Sequence, residues 1–97
     1  MWWEIEIKRL RDMIDELDKE TINGQAQRIQ LCEKIAEIKA GHGLPIYVPW
    51  REQEILDKRC DWGLKHGLRQ KFIRILFRLI MSESKKRQKE LIEAKIC

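Results

Sequence analysis

Several polar side chains stand where the pattern around them asks for apolar ones. Arg28 falls on the apolar seam of the first helical segment, and Lys39 follows eleven residues later. On an α-helix eleven residues return to within about 20° of the same face, about 16 Å further along. Two long cationic arms at that spacing can converge on one small anion. Ser84 and Gln88, four residues apart, prolong the apolar stripe of the last segment and suit a polar pocket behind a hydrophobic core. Arg51-Glu52 opens the second segment, and Arg11 flanks Leu10 on the first. Taken alone, each has a plainer reading. Arg28 and Lys39 can snorkel to solvent, and Arg11 can be a solvated flank. The last stripe can end near Ile80, and Arg51-Glu52 can be an ordinary charged first turn. Arg11 and Arg28 are 17 residues apart, about 25 Å along one helix and on different faces. One chain does not easily bring both to one ligand, whereas two antiparallel chains can.

The elements that must position these groups are helices. One Val, one Thr and one Tyr stand against many Leu, Ile, Glu, Lys, Arg and Gln, so helix formers dominate and strand formers other than Ile are nearly absent. Gly and Pro cluster at Gly41-His42-Gly43-Leu44-Pro45 to Pro49 and again from Gly63 to Gly67. These clusters divide the chain into three helical segments, roughly 4–40, 49–64 and 69–94, read as one domain over 1–97. In the first, Leu10, Ile14, Leu17, Thr21, Gly24, Arg28, Leu31, Ile35 and Ile38 alternate spacings of four and three, the seam of a helix packed along its whole length. Asn23-Gly24 interrupts it and can mark a break, but the stripe keeps its phase across the pair, which favours one helix. Such a helix is about 55 Å long, against a radius of gyration of about 13 Å for a globule of this size. Its stripe therefore needs a partner, and a second copy of the chain is the expected one. Pro49 suits the first position of the second helix, and Glu52 suits its positive end. The third carries Phe72, Ile73, Leu76, Phe77 and Ile80 on one face, continued by Ser84, Gln88 and Leu91.

The chain has 97 residues, 20 Lys+Arg against 16 Asp+Glu and a net charge of +4. Its 43% hydrophobic and 37% charged content is too apolar for a disordered tail and too charged for a membrane span. Arg74 and Arg78 interrupt the most apolar stretch. Met1-Trp2-Trp3-Glu4 does not begin a signal peptide. Three cysteines, Cys32, Cys60 and Cys97, with no C-x-x-C spacing, read as free thiols in a reducing cytoplasm. His42, His66 and Cys60 lack metal-ligand spacing, and no nucleophile motif or phosphate-binding glycine loop occurs. The run Lys85-Lys86-Arg87 with Lys89 reads as a solvated face that attracts anions.

Taken together and in order, these pieces resemble the all-helical class of chorismate mutase. They are Leu10-Arg11-x-x-Ile14-x-x-Leu17-Asp18, Arg28, Ile38-Lys39, Pro45-Ile46, Arg51-Glu52 and Leu76-Phe77-x-x-Ile80-x-x-x-Ser84-x-x-x-Gln88. The resemblance spans roughly residues 5–94 and implies an all-α, intertwined homodimer of three-helix chains, with sites built from both chains. It implies that Arg28, and Arg11 from the partner, clamp the two carboxylates of the substrate. Lys39 would contact a carboxylate and the ether oxygen, and Gln88 would be the second donor to that oxygen. Glu52 would accept from the ring hydroxyl, with Ser84 and Arg51 in support near the ring carboxylate. Val48 stands where the family often has Asp; the side-chain contact is lost there and the backbone N–H remains.

The implied reaction is the [3,3] rearrangement of chorismate to prephenate, on the route to Phe and Tyr. It is intramolecular, an isomerisation that needs no metal or cofactor, with a cytoplasmic setting and no nucleic-acid or membrane partner. Two rivals share parts of the pattern. An isochorismate pyruvate lyase of the same fold tends to lack the acid after the arginine and the Ser/Gln pair. A non-catalytic basic helical dimer binding nucleic acid or a partner helix would show clustered cations and have no use for Glu52.

Overall fold

The computed structural model describes the backbone of residues 1–96 and the side chains through Ala94. Cys97, expected above as a third free thiol, lies outside the described residues. Three helices account for the described chain: α1 (Trp2–Gly41), α2 (Pro49–Lys65) and α3 (Gln70–Ile96). The helical segments expected from sequence differ from these only by a few residues at their ends. Among the described residues there is no strand, and no helix is long and apolar enough to cross a membrane.

The two glycine clusters end helices by the same device. Gly43 and Gly67 adopt left-handed backbone, at φ of 65° and 74°, a region open to glycine at little steric cost. One residue further on, the Leu44 N–H donates to the Lys39 carbonyl at 2.8 Å, and the Leu68 N–H donates to the Gly63 carbonyl at 2.8 Å. Each bond closes a Schellman-type turn over a carbonyl the helix would otherwise leave unpaired. The first of these turns fixes Lys39 in the last turn of α1, so the same motif that stops the helix sets the position of a candidate functional residue.

Compact packing divides the chain into Met1–Leu31 and the part from Cys32 onward. In the first unit α1 passes Asn23-Gly24 without interruption. Its support there is local. Lys8 pairs with Asp12 at 3.0 Å and Lys19 with Glu16 at 3.0 Å, each worth about 0.2–0.5 kcal/mol on a helix surface. No residue from Met1 to Leu31 is buried. Leu10, Ile14 and Leu17, all on the seam, are 45%, 54% and 59% exposed.

In the second unit α2 and α3 form an antiparallel pair. Glu52 meets Lys85 near one end, and Gly63 meets Ile73 near the other. Ile55, Leu56 and Met81 make the core, with Phe77 packed against them. The Arg59 guanidinium lies over the Trp62 ring at 4.7 Å and the Phe77 ring at 5.7 Å. The packed face of α3 is the expected one except at two positions. Phe72 is exposed, whereas Met81, absent from the expected stripe, is buried. On α1 the buried residue is Ala36, with Cys32, Glu33 and Lys39 half-buried around it, while Ile35 and Ile38 of the seam stay exposed.

At Gly63 of α2 the side chain of Ile73 of α3 packs against the bare backbone. A Cβ built there would stand 2.7 Å from Ile73 Cγ1. Alanine normally gains about 0.5–1 kcal/mol over glycine inside a helix, but overpacking of a core costs about 1–3 kcal/mol. The collision involves the branch of a buried Ile rather than the free end of a flexible chain, so the cost dominates. Gly63→Ala is expected to lower the thermal midpoint followed by circular dichroism; an unchanged or higher midpoint would mean that Ile73 moves aside at no cost.

Candidate active site

Helix α3 contributes most of the site. Ser84 and Gln88 are buried, at 5% and 6% exposure, so the stripe continues in polar form and does not end at Ile80. A buried amide is costly unless hydrogen-bonded. Gln88 meets that cost by donating from Nε2 to the Cys32 carbonyl of α1 at 2.8 Å. The amide carries two N–H donors and this bond takes one. Ser84 Oγ donates to the Ile80 carbonyl one turn back, at 3.0 Å.

The end of α1 and the loop after it supply a second group. Lys39 Nζ donates to the Ile46 carbonyl at 3.1 Å. An ammonium has three donors, so the loop carbonyl orients Lys39 and leaves it capacity for a ligand. The first turn of α2 supplies the third. Val48 is its N-cap, in extended backbone, and the Val48 carbonyl accepts from the Arg51 and Glu52 N–H groups at 3.1 and 3.2 Å. This places the Glu52 carboxylate, half-buried, near the positive end of the helix dipole.

Glu52 does not stand alone. Lys85 Nζ lies 3.0 Å from Glu52 Oε2 and 3.4 Å from Oε1, and 4.7 Å from the centre of the Tyr47 ring. Neither Lys85 nor Tyr47 was expected here. Lys85 belongs to the basic run read from sequence as a solvated face, and the structure corrects that reading for Lys85, which turns to α2. Lys86, Arg87 and Lys89 are exposed as expected, Arg87 paired with Glu33 of α1 at 3.4 Å. Met81, the buried residue four positions before Lys85, stands outside the expected stripe, so the sequence held no signal that singled out Lys85 from its neighbours.

Residue by residue, Lys39, Val48, Glu52, Ser84 and Gln88 therefore belong to one set of bonded neighbours within Cys32–Ala94. It runs from Lys39 through Ile46-Tyr47 to Lys85 and Glu52, and along α3 to Gln88 and back to Cys32. Arg51 is not brought in. It is exposed and its Nη1 lies 2.6 Å from Glu54 Oε1, and hydrogen bonds from Lys58 first and Arg51 next hold the Glu54 carboxyl below its ordinary range. Arg11 is exposed and Arg28 half-buried on the Met1–Leu31 part of α1.

Comparison with known proteins bears on this arrangement. The family model for chorismate mutase type II matches residues 10–89, an interval that contains every one of these candidates. The chain belongs to that family. It is 38% identical over 79 residues to a T-protein of Enterobacter agglomerans, covering 81% of this chain and 21% of that protein. It is 33% identical over 78 residues to a 4-amino-4-deoxychorismate mutase of Streptomyces venezuelae, covering 80% of this chain and 76% of that one. Over 87 residues it is 30% identical to a chorismate mutase of Methanocaldococcus jannaschii, covering 90% and 88% of the two chains. The chain thus spans about a fifth of the T-protein's length and most of the length of the free-standing mutases. With three helices and no strand among the described residues, it is an all-α member.

Proposed function

We propose that the chain converts chorismate to prephenate as a single mutase domain over 1–97. The observation that carries this reading is the burial of Gln88, whose amide is anchored on the Cys32 carbonyl on the face that also presents Ser84 and Lys85. Breaking the C–O bond of chorismate gathers negative charge on the ether oxygen. Gln88 and Lys39 are donors already held in place by Cys32 and Ile46, and preorganised donors stabilise developing charge without reorganising. Arg28, with Arg11 of the partner chain, would clamp the two carboxylates; Ser84 supports the ring carboxylate, and Glu52 and the Val48 backbone face the ring hydroxyl. Holding the flexible dianion in its compact chair-like conformer supplies an orientation effect. The working form in this reading is a homodimer in the cytoplasm. The uncovered seam of Leu10, Ile14 and Leu17 supports the first of those two statements, and the free thiol of Cys60 the second.

The direct test is loss of chorismate absorbance with prephenate formed and no pyruvate released; pyruvate would instead indicate the lyase. For the dimer, sedimentation equilibrium at micromolar concentration is expected to give twice the 11.7 kDa chain mass. A monomer with full activity would remove the shared-site arrangement. The Streptomyces venezuelae relative is named for 4-amino-4-deoxychorismate, which carries an amine where chorismate has the hydroxyl that Glu52 would face, so both compounds belong in the assay.

A further inference from the structure

We propose that Lys85 determines specificity at the ring substituent, setting the site for a neutral hydroxyl and against a cationic amine. The proposal rests on the mutase reading above, and on Glu52 facing that substituent within it. A bare carboxylate at the mouth of α2 would favour an ammonium over a hydroxyl. Here the carboxylate is already matched. Lys85 Nζ spans both of its oxygens at 3.0 and 3.4 Å, and the same ammonium sits over the face of Tyr47 at 4.7 Å, which attracts it by its quadrupole. The ion pair spans 33 residues and joins two helices, and the side chains of Lys85 and Glu52 are only 38% and 25% exposed, so solvent screens it incompletely.

The consequences differ for the two substituents. A carboxylate has about four lone-pair sites, so with Lys85 in place it still accepts a hydrogen bond from a hydroxyl. An ammonium arriving at Glu52 would meet the Lys85 ammonium within a few ångströms and find no net negative charge to repay its desolvation. Tyr47 positions Lys85 and does not touch the ligand in this account.

The test measures kcat/KM of the full chain for chorismate and for 4-amino-4-deoxychorismate across pH. The parent is expected to prefer chorismate, and the preference is expected to shrink as pH rises and the amine of the analogue loses its charge. Lys85→Met keeps an apolar stem of similar length and is expected to move the ratio about tenfold toward the amine at pH values where it is charged. Lys85→Gln is expected to do the same, and Lys85→Arg, which keeps the charge, to hold the parental ratio. A purely structural Lys85 would lower turnover of both compounds and leave their ratio and its pH dependence unchanged. That result in folded Lys85→Met or Lys85→Gln protein would overturn the proposal, as would a parental ratio flat with pH, which needs no variant. A parent that turns over neither compound would instead overturn the mutase reading itself.

Discussion

Gln88→Ala is expected to lower kcat for chorismate by about 10²–10³, with a smaller change in KM. The donor interaction grows as charge moves to the ether oxygen, so its loss falls on the transition state more than on the bound substrate. Gln88→Glu is the sharper variant. Gln88 is buried and its Nε2 donates to the Cys32 carbonyl at 2.8 Å. A carboxylate there would face another acceptor and could donate to neither the carbonyl nor the substrate. Only the protonated acid can. Burial and the carbonyl both disfavour the charged form, so the folded-state pKa of the introduced acid lies above its unfolded value of about 4.3. The sign of the linkage follows. The stabilising contribution of the protonated acid is complete below the unfolded pKa and is lost as pH rises through the folded one. Both the melting temperature and kcat of the Glu variant are therefore expected to rise toward acid, while the parental amide does not titrate. Thermal melts and initial rates between about pH 4 and 8 check both. A Glu variant equal to the parent at pH 8 would remove Gln88 from the chemistry, and with it the argument that α3 lines the site.

The part of this molecule legible in its sequence is the part governed by local rules. Both helix ends were marked by glycines because the Gly43 and Gly67 conformations need them, and the continuity of α1 through Asn23-Gly24 was implied by a seam that never lost phase. Ser84 and Gln88 were visible as polar residues in an apolar period, and both are buried. Which residues close the edge of a packed face was not legible. Phe72 and Met81 differ by nine residues, which is 900° or 180° modulo a turn, so both cannot face one core; periodicity alone named the wrong member. Lys85 was hidden by its neighbours, since a cation in a run of cations carries no sign of which one turns inward. Arg51 was read toward a ligand, but three residues on stands Glu54, and a local ion pair takes it.

Arg11→Ala and Arg28→Ala are each expected to lose activity alone, by at least about tenfold to a hundredfold, and to recover part of it when mixed. The two arginines lie on one unbroken helix, about 25 Å apart along its axis, so no local bend at Asn23-Gly24 brings them to the same small dianion. In an antiparallel pair of chains each site would take Arg28 from one chain and Arg11 from the other. A dimer with one chain of each variant then has one site with both arginines intact and one with neither. Random exchange makes half of the dimers mixed, so about a quarter of all sites become competent under twofold symmetry. Activity near a quarter of the parental value, rising at the rate of subunit exchange and absent from either variant alone, is the expected result. Differently tagged chains report heterodimer formation independently. Mixed dimers present in full with no activity gained would mean that one chain supplies both residues to its site, or that one of them serves no site.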